Sequence, residues 1–177
     1  MPESLENRDV LAIIRGRRSI RRFKKTPVEP QFVESMIECA LSAPSAGNSR
    51  PAHFIVVDDP DLLKTLDGSA ARGRMLYSAP LAVVVCADPS RSELAAMYWE
   101  QDCAAAMQNL LLAAHALGLA GVWLGVRHDP ARERALRDVL DIPQSVNVLG
   151  VAAMGYPLET RDPHKGVEPG FLHVNRW

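Results

Sequence analysis

Apolar residues recur along this chain in two rhythms, one helical and one of strands. From Pro30, the residues Phe32, Val33, Met36, Ile37, Ala40 and Leu41 share one face of a helix, and Pro44 ends it. A weaker stripe over residues 4–15 stops at Gly16. Residues 53–58 read as a strand, after which Asp59-Pro60 supplies the N-cap and first position of a short helix reaching about Leu66. The β-branched run 82–86 reads as a buried strand. Residues 92–117 form a long helix, apolar nearly all round after Trp99, closed by Gly118. A helix so short of polar positions needs cover on both sides, which implies a subunit interface. A strand over 120–126, a helix capped by Asp129-Pro130 and running to about Leu140, and a strand over 146–154 follow. The tail carries Pro157, Pro163 and Pro169 and is expected to be extended; its apolar Phe171, Leu172, Val174 and Trp177 favour a course laid on another surface. Pattern alone predicts alternating α/β with a parallel sheet.

Composition narrows the function classes. At 177 residues, 47% of them hydrophobic, one domain spanning 1–177 is expected. The formal net charge of −1 gives no global field for nucleic acid or an anionic membrane, so any basic site is local. Cys39, Cys86 and Cys103 are an odd number with no C-x-x-C pair, which points to a reducing compartment. Residues 1–20 lack the apolar core of a signal peptide, and the longest apolar stretch, 103–126, is broken by Gln108, Asn109 and His115. The expectation is a cytoplasmic protein with no membrane partner.

Two polar clusters carry the candidate chemistry. Arg17-Arg18-Ser19-Ile20-Arg21-Arg22 offers guanidinium forks suited to phosphate. In an extended segment Arg17, Ser19 and Arg21 share one side and Arg18, Ile20 and Arg22 the other. By itself the cluster fits a solvated basic patch or a nucleic-acid contact equally well. Pro44-Ser45-Ala46-Gly47-Asn48 offers backbone donors and an amide, but is also the usual composition of a helix-to-strand turn. Arg72 and Arg74, before the second strand, are either ligand contacts or exposed loop arginines.

These clusters, with the turn leading into His53-Phe54-Ile55-Val56-Val57, the stretch Gly118-Leu119-Ala120-Gly121-Val122-Trp123-Leu124-Gly125 and the later Gly155-Tyr156-Pro157, resemble the FMN-dependent nitroreductase family over roughly residues 8–177. The resemblance implies an α+β fold: a mixed β-sheet flanked by helices in an intertwined homodimer, with the C-terminal extension crossing onto the partner. It implies FMN as cofactor, with Arg17 and Ser19 toward the phosphate and ribityl chain, Arg21 toward the pyrimidine edge, and Arg18 as a further cofactor contact. It assigns Pro44, Ser45 and Ala46 main-chain contacts and Asn48 an amide contact, made to the other subunit's flavin. Leu124 and Gly125 would approach N5 and O4, Arg74 would line the flavin edge or a nicotinamide phosphate, and Lys165, with Arg161 as the alternative, would meet the phosphate. The family's Lys-x-Arg spacing is not kept, since Val167 stands where arginine would. Arg50 and His53 lie beside the turn without an assigned role beyond helping substrate or phosphate binding.

No G-x-G-x-x-G, Walker, H-E-x-x-H or G-x-S-x-G pattern occurs, so a Rossmann site, P-loop, zinc protease or serine hydrolase is unsupported and no metal is expected. His115, on the apolar helix, reads as a core or interface histidine. The expected activity is an oxidoreductase moving hydride from NADH or NADPH through flavin N5 to a nitroaromatic, quinone or related small-molecule acceptor by a ping-pong mechanism. An enone reductase or a dehalogenase-like enzyme is the alternative within flavin chemistry. A non-catalytic flavin- or nucleic-acid-binding protein is the alternative outside it.

Overall fold

Capping residues set where each element begins and ends. The computed structural model describes residues 10–70 and 75–177. In chain order these form α1 (Val10–Gly16), α2 (Pro30–Leu41), β1 (Ala52–Val57), α3 (Pro60–Ala70), α4 (Met75–Ser78), β2 (Leu81–Ala87), α5 (Glu93–Ala116), β3 (Ala120–Gly125), α6 (Pro130–Leu140) and β4 (Asn147–Gly155). Asp59 and Asp129 cap α3 and α6 as the Asp-Pro pairs predict, Asp59 Oδ1 accepting from the N–H groups of Asp61 and Leu62 and Asp129 from that of Arg132. A third pair, Asp88-Pro89, opens only a 3-10 turn, Pro89–Arg91. Ser92 Oγ then accepts from the N–H of Ala95 and starts α5. At the other end of α5, Gly118 adopts φ 80° and lets the Leu119 N–H reach back to Ala114 O at 2.9 Å.

The sheet order is β1-β2-β4-β3, and all neighbours are antiparallel. The parallel sheet that pattern alone suggests is therefore not formed. What is parallel, among the described residues, is a single bridge, Ser19 to Gly121, laid against the outer edge of β3. β2 is buried throughout, its residues alternating between two cores. Ala82, Val84 and Cys86 pack with Leu63 and Leu66 of α3 and Leu136 of α6, while Leu81, Val83, Val85 and Ala87 pack with Met36 and Ala40 of α2 and Cys103, Met107 and Leu110 of α5. The central strands thus lie between two helical layers.

The long helix is covered on one side only. Ala95, Trp99, Cys103, Ala106, Met107, Leu110, Leu111 and Ala114 are buried, yet Leu94, Met97 and Tyr98 near its start are exposed. The tail beyond β4 forms neither helix nor strand; Phe171, Leu172, Val174 and Trp177 all lie open on this chain. Gly150 of β4 marks a tight spot. A Cβ there would sit 2.6 Å from Trp123 Nε1 and 2.8 Å from the Leu124 carbonyl oxygen. Since a ladder carbonyl cannot give way, Gly150→Ala is expected to cost about 1–3 kcal/mol in denaturant unfolding; a wild-type midpoint would refute the clash.

Candidate functional site

The arginine segment leaves α1 and runs along β3. The Arg17 N–H still bonds Ile13 O, so the extended course begins only after it. Ile20 N–H then donates to Gly121 O at 3.2 Å, and Lys24 N–H to Tyr156 O at 2.8 Å. Because Arg17 belongs to the helix exit, the strict alternation expected for residues 17–22 starts late, and Arg17 and Arg18 both line one cavity. That cavity, about 210 Å³, is bordered by Arg17, Arg18, His115, Gly118, Gly121 and Arg161 among others, with no carboxylate among the described residues of its lining. Arg18 also borders a neighbouring depression lined by His164 and Lys165 together with the carboxylates of Asp162 and Glu168. The two C-terminal cations therefore reach the arginine segment from adjacent sides. Ser19 sits on the β3 edge, and the Arg21 backbone N–H donates to Glu159 Oε1 at 2.8 Å.

The turn of residues 44–48 is built as a rigid left-handed loop at the opposite end of α5. Ala46–Asn48 make one turn of 3-10 helix in which Gly47 and Asn48 both have φ 56°, and Arg50 follows at φ 48°. Only glycine takes that region freely, so the loop is held from outside. Asp102, 8% exposed, is the one buried charged side chain among the described residues. Its Oδ1 accepts from the Ala46 N–H at 3.0 Å and its Oδ2 from the Ser49 hydroxyl at 3.4 Å. Ser45 Oγ accepts from the Arg50 N–H, and Asn48 Oδ1 from Arg50 Nε, each at 2.9 Å. Asn48 thus keeps its amide N–H groups for other acceptors. The turn meets α5 at Leu94 and Asp102, whereas the cationic cavity meets it at Leu111 and His115. Thirteen residues of helix between Asp102 and His115 put these two clusters about 20 Å apart along the axis.

Along β3, Gly121 O points away from β4, so by strand alternation the N–H groups of Trp123 and Gly125 face the same outer edge. The Leu124 carbonyl instead lies against Gly150 of β4. Of the two residues singled out from the sequence, Gly125 is the one whose N–H faces outward. Its carbonyl accepts from Arg132 Nη1 at 3.0 Å, and Arg132 is itself held by Asp129 at 3.0 Å. Beside it, Glu100 pairs with Arg127 at 2.7 Å, and the Arg127 guanidinium lies 5.1 Å above the Trp99 ring.

Arg74, with Arg72, lies outside the described residues. The sequence reading missed Asp102. Asp102 follows Glu93 and Glu100 on α5 and stands where the helix turns apolar, but its task depends on a loop more than fifty residues away in the chain. Burial pushes the thiols of Cys86 and Cys103 up to about 12, so neither supplies a thiolate nucleophile near neutral pH. The described residues contain no group of metal-ligating side chains and no helix long and apolar enough to cross a membrane. A larger cavity, about 420 Å³, lies elsewhere, between α2, α3 and α4, and is lined mainly by prolines and aliphatic residues.

Comparison with known proteins agrees with this architecture. The nitroreductase family model matches residues 14–73 and 67–156. A protein of Archaeoglobus fulgidus provisionally named NADH dehydrogenase/NAD(P)H nitroreductase is 41% identical over 172 residues, covering 96% of this chain and 99% of its own. Among solved structures, an FMN-dependent nitroreductase from Clostridium difficile superposes with a TM-score of 0.86 at 30% identity, covering 94% of this chain and 99% of that one. A protein provisionally described as a nitroreductase, from Desulfovibrio desulfuricans and in complex with FMN, gives 0.81 at 29% identity, covering 97% and 99%. Motif order, strand order and full-length similarity converge: this chain belongs to the nitroreductase family.

Proposed function

We propose that the protein is an FMN-dependent oxidoreductase that takes hydride from NADH or NADPH and passes electrons to a small-molecule acceptor, nitroaromatics and quinones being the first to try. The observation that carries this reading is the cationic cavity at the start of the β3 edge, where Arg17, Arg18 and Arg161 converge with no carboxylate among the described lining residues. Such a donor set fits a terminal phosphate dianion. The cavity is smaller than the roughly 300 Å³ of an ordinary ligand pocket, so it suits the phosphate end and leaves the ring to be bound outside it.

FMN supplies, when bound, a hydride-accepting N5 and a route onward to the second substrate. Arg17, Arg18 and Ser19 hold the phosphate and ribityl groups, with Arg161 and Lys165 closing from the tail. Arg21 provides a fixed cation for the negative charge that gathers on the pyrimidine edge of a reduced ring. The Gly125 N–H, steadied through Arg132, offers a donor toward N5 and O4 without a titrating side chain. The turn carrying Pro44, Ser45, Ala46 and Asn48 stands about 20 Å away along α5 in the same chain, so its contacts are made to the flavin of a second subunit. Exposed Leu94, Met97 and Tyr98 beside that turn, and the apolar tail, supply the surface for a homodimer.

The purified protein should be yellow, release FMN rather than FAD on denaturation, and bleach on addition of NADH or NADPH. Initial rates at several fixed acceptor levels should then give parallel lines, because donor and acceptor use one flavin face in turn. A colourless protein that takes up no FMN would sink the reading, and intersecting lines would remove the alternating mechanism.

A further inference from the structure

We propose that Arg50 and Arg91 form a site for the 2′-phosphate of NADPH, making NADPH the preferred hydride donor; this rests on the oxidoreductase reading and assigns its donor. Both arginines are exposed, and each is tied to the same turn through Nε alone, Arg50 to Asn48 Oδ1 at 2.9 Å and Arg91 to Ser49 O at 3.0 Å. Their anchors are consecutive residues, whose Cα atoms are about 3.8 Å apart. The terminal Nη atoms of both make no hydrogen bond or ion pair among the described residues. Two guanidinium forks, already held at their necks, are thus anchored to consecutive residues of the loop proposed to reach the flavin.

The nearby acid does not neutralise them. Asp88 accepts from both the N–H and the hydroxyl of Ser90, which is the main reason its carboxyl sits below the usual range, with His53 and Arg91 adding to the effect. No ion pair joins it to either arginine. The left-handed φ of 48° at Arg50 is costly for a long side chain, and it persists because the Ser45 hydroxyl and Asn48 hold it. A ribose phosphate monoester carries close to two charges at neutral pH, which two forks match. The pyrophosphate shared by NADH and NADPH spreads its charge over two groups. The paired forks therefore favour the monoester.

The test uses the flavin-loaded enzyme and compares kcat/KM for NADPH and NADH. Wild type is expected to favour NADPH, and Arg91→Gln to lower the NADPH value by roughly tenfold to a hundredfold while leaving the NADH value, flavin content and melting temperature unchanged. Arg91→Lys, which keeps the charge but not the fork, should fall between. Adenosine 2′,5′-bisphosphate should compete with NADPH and weaken in parallel. Equal losses with both donors, or none with either, overturn the inference while the oxidoreductase reading stands. A wild type that oxidises neither nucleotide overturns both.

Discussion

Asp102→Ala is expected to lower the melting temperature by roughly 5–15 °C and to release flavin on dilution. The carboxylate accepts from the Ala46 N–H and the Ser49 hydroxyl, and both would lose their partner in a site only 8% exposed. Hydrogen bonds to a charged group contribute about 1.5–3 kcal/mol, and orphaned donors add a desolvation cost. For a chain of this length each kcal/mol moves the midpoint by about 2–4 °C. The strained loop through Gly47, Asn48 and Arg50 would then relax, and the flavin contacts proposed for it would go with it. Asp102→Asn is the control, since an amide oxygen still accepts from Ala46 and the Ser49 hydroxyl can turn to accept. Differential scanning and flavin fluorescence read both effects. An alanine variant matching wild type in both would show that the turn is held by something other than Asp102.

Removing residues 167–177 is expected to convert a flavin-loaded dimer into an unstable, flavin-poor monomer, although Arg161 and Lys165 are retained. Phe171, Leu172, Val174 and Trp177 are open among the described residues of their own chain, Trp177 meeting only the His173 ring, so their apolar surface is free to be covered by a second copy. Burying the first three alone contributes roughly 5–9 kcal/mol per tail, and every 1.4 kcal/mol is about tenfold in affinity. Obligate interfaces bury about 2,000–5,000 Å² and leave no stable separate subunit. Light scattering and the flavin-to-protein absorbance ratio measure the two losses together. A truncated protein that stays dimeric and fully loaded would refute the role given to the tail, and a folded, FMN-loaded monomer of the intact chain would refute the shared site.

Much of the helical layout was legible because its signals are local. Proline at the start of α2, the Asp-Pro caps of α3 and α6, and Gly118 after α5 act on their nearest neighbours, and the structure places those ends within a few residues of the pattern. The two polar clusters were equally visible, since charged and turn-forming residues stand out in an apolar chain. Their assembly was not. Arg17 and Arg161 meet because Leu158 N–H bonds Arg22 O and Phe23 bridges Pro157, a pairing across more than a hundred residues. Asp102 was readable only as an anomaly until Ala46 and Ser49 were found against it.

Strand direction shows the same division. The continuous apolar runs of β2 and β4 announce burial on both faces, and helices before and after them announce who covers those faces. Burial of this kind is common to parallel and antiparallel strands, and a helix can connect either. The amino-acid sequence by itself determined the longer helices and the four strands, which apolar stretches form the core, and that a cationic segment and a turn-forming segment exist. Only the tertiary structure decided the antiparallel order, the meeting of Arg17 and Arg18 with Arg161, and the placement of the turn at the far end of α5, because hydrogen-bond register and long-range packing depend on pairings that no local pattern encodes.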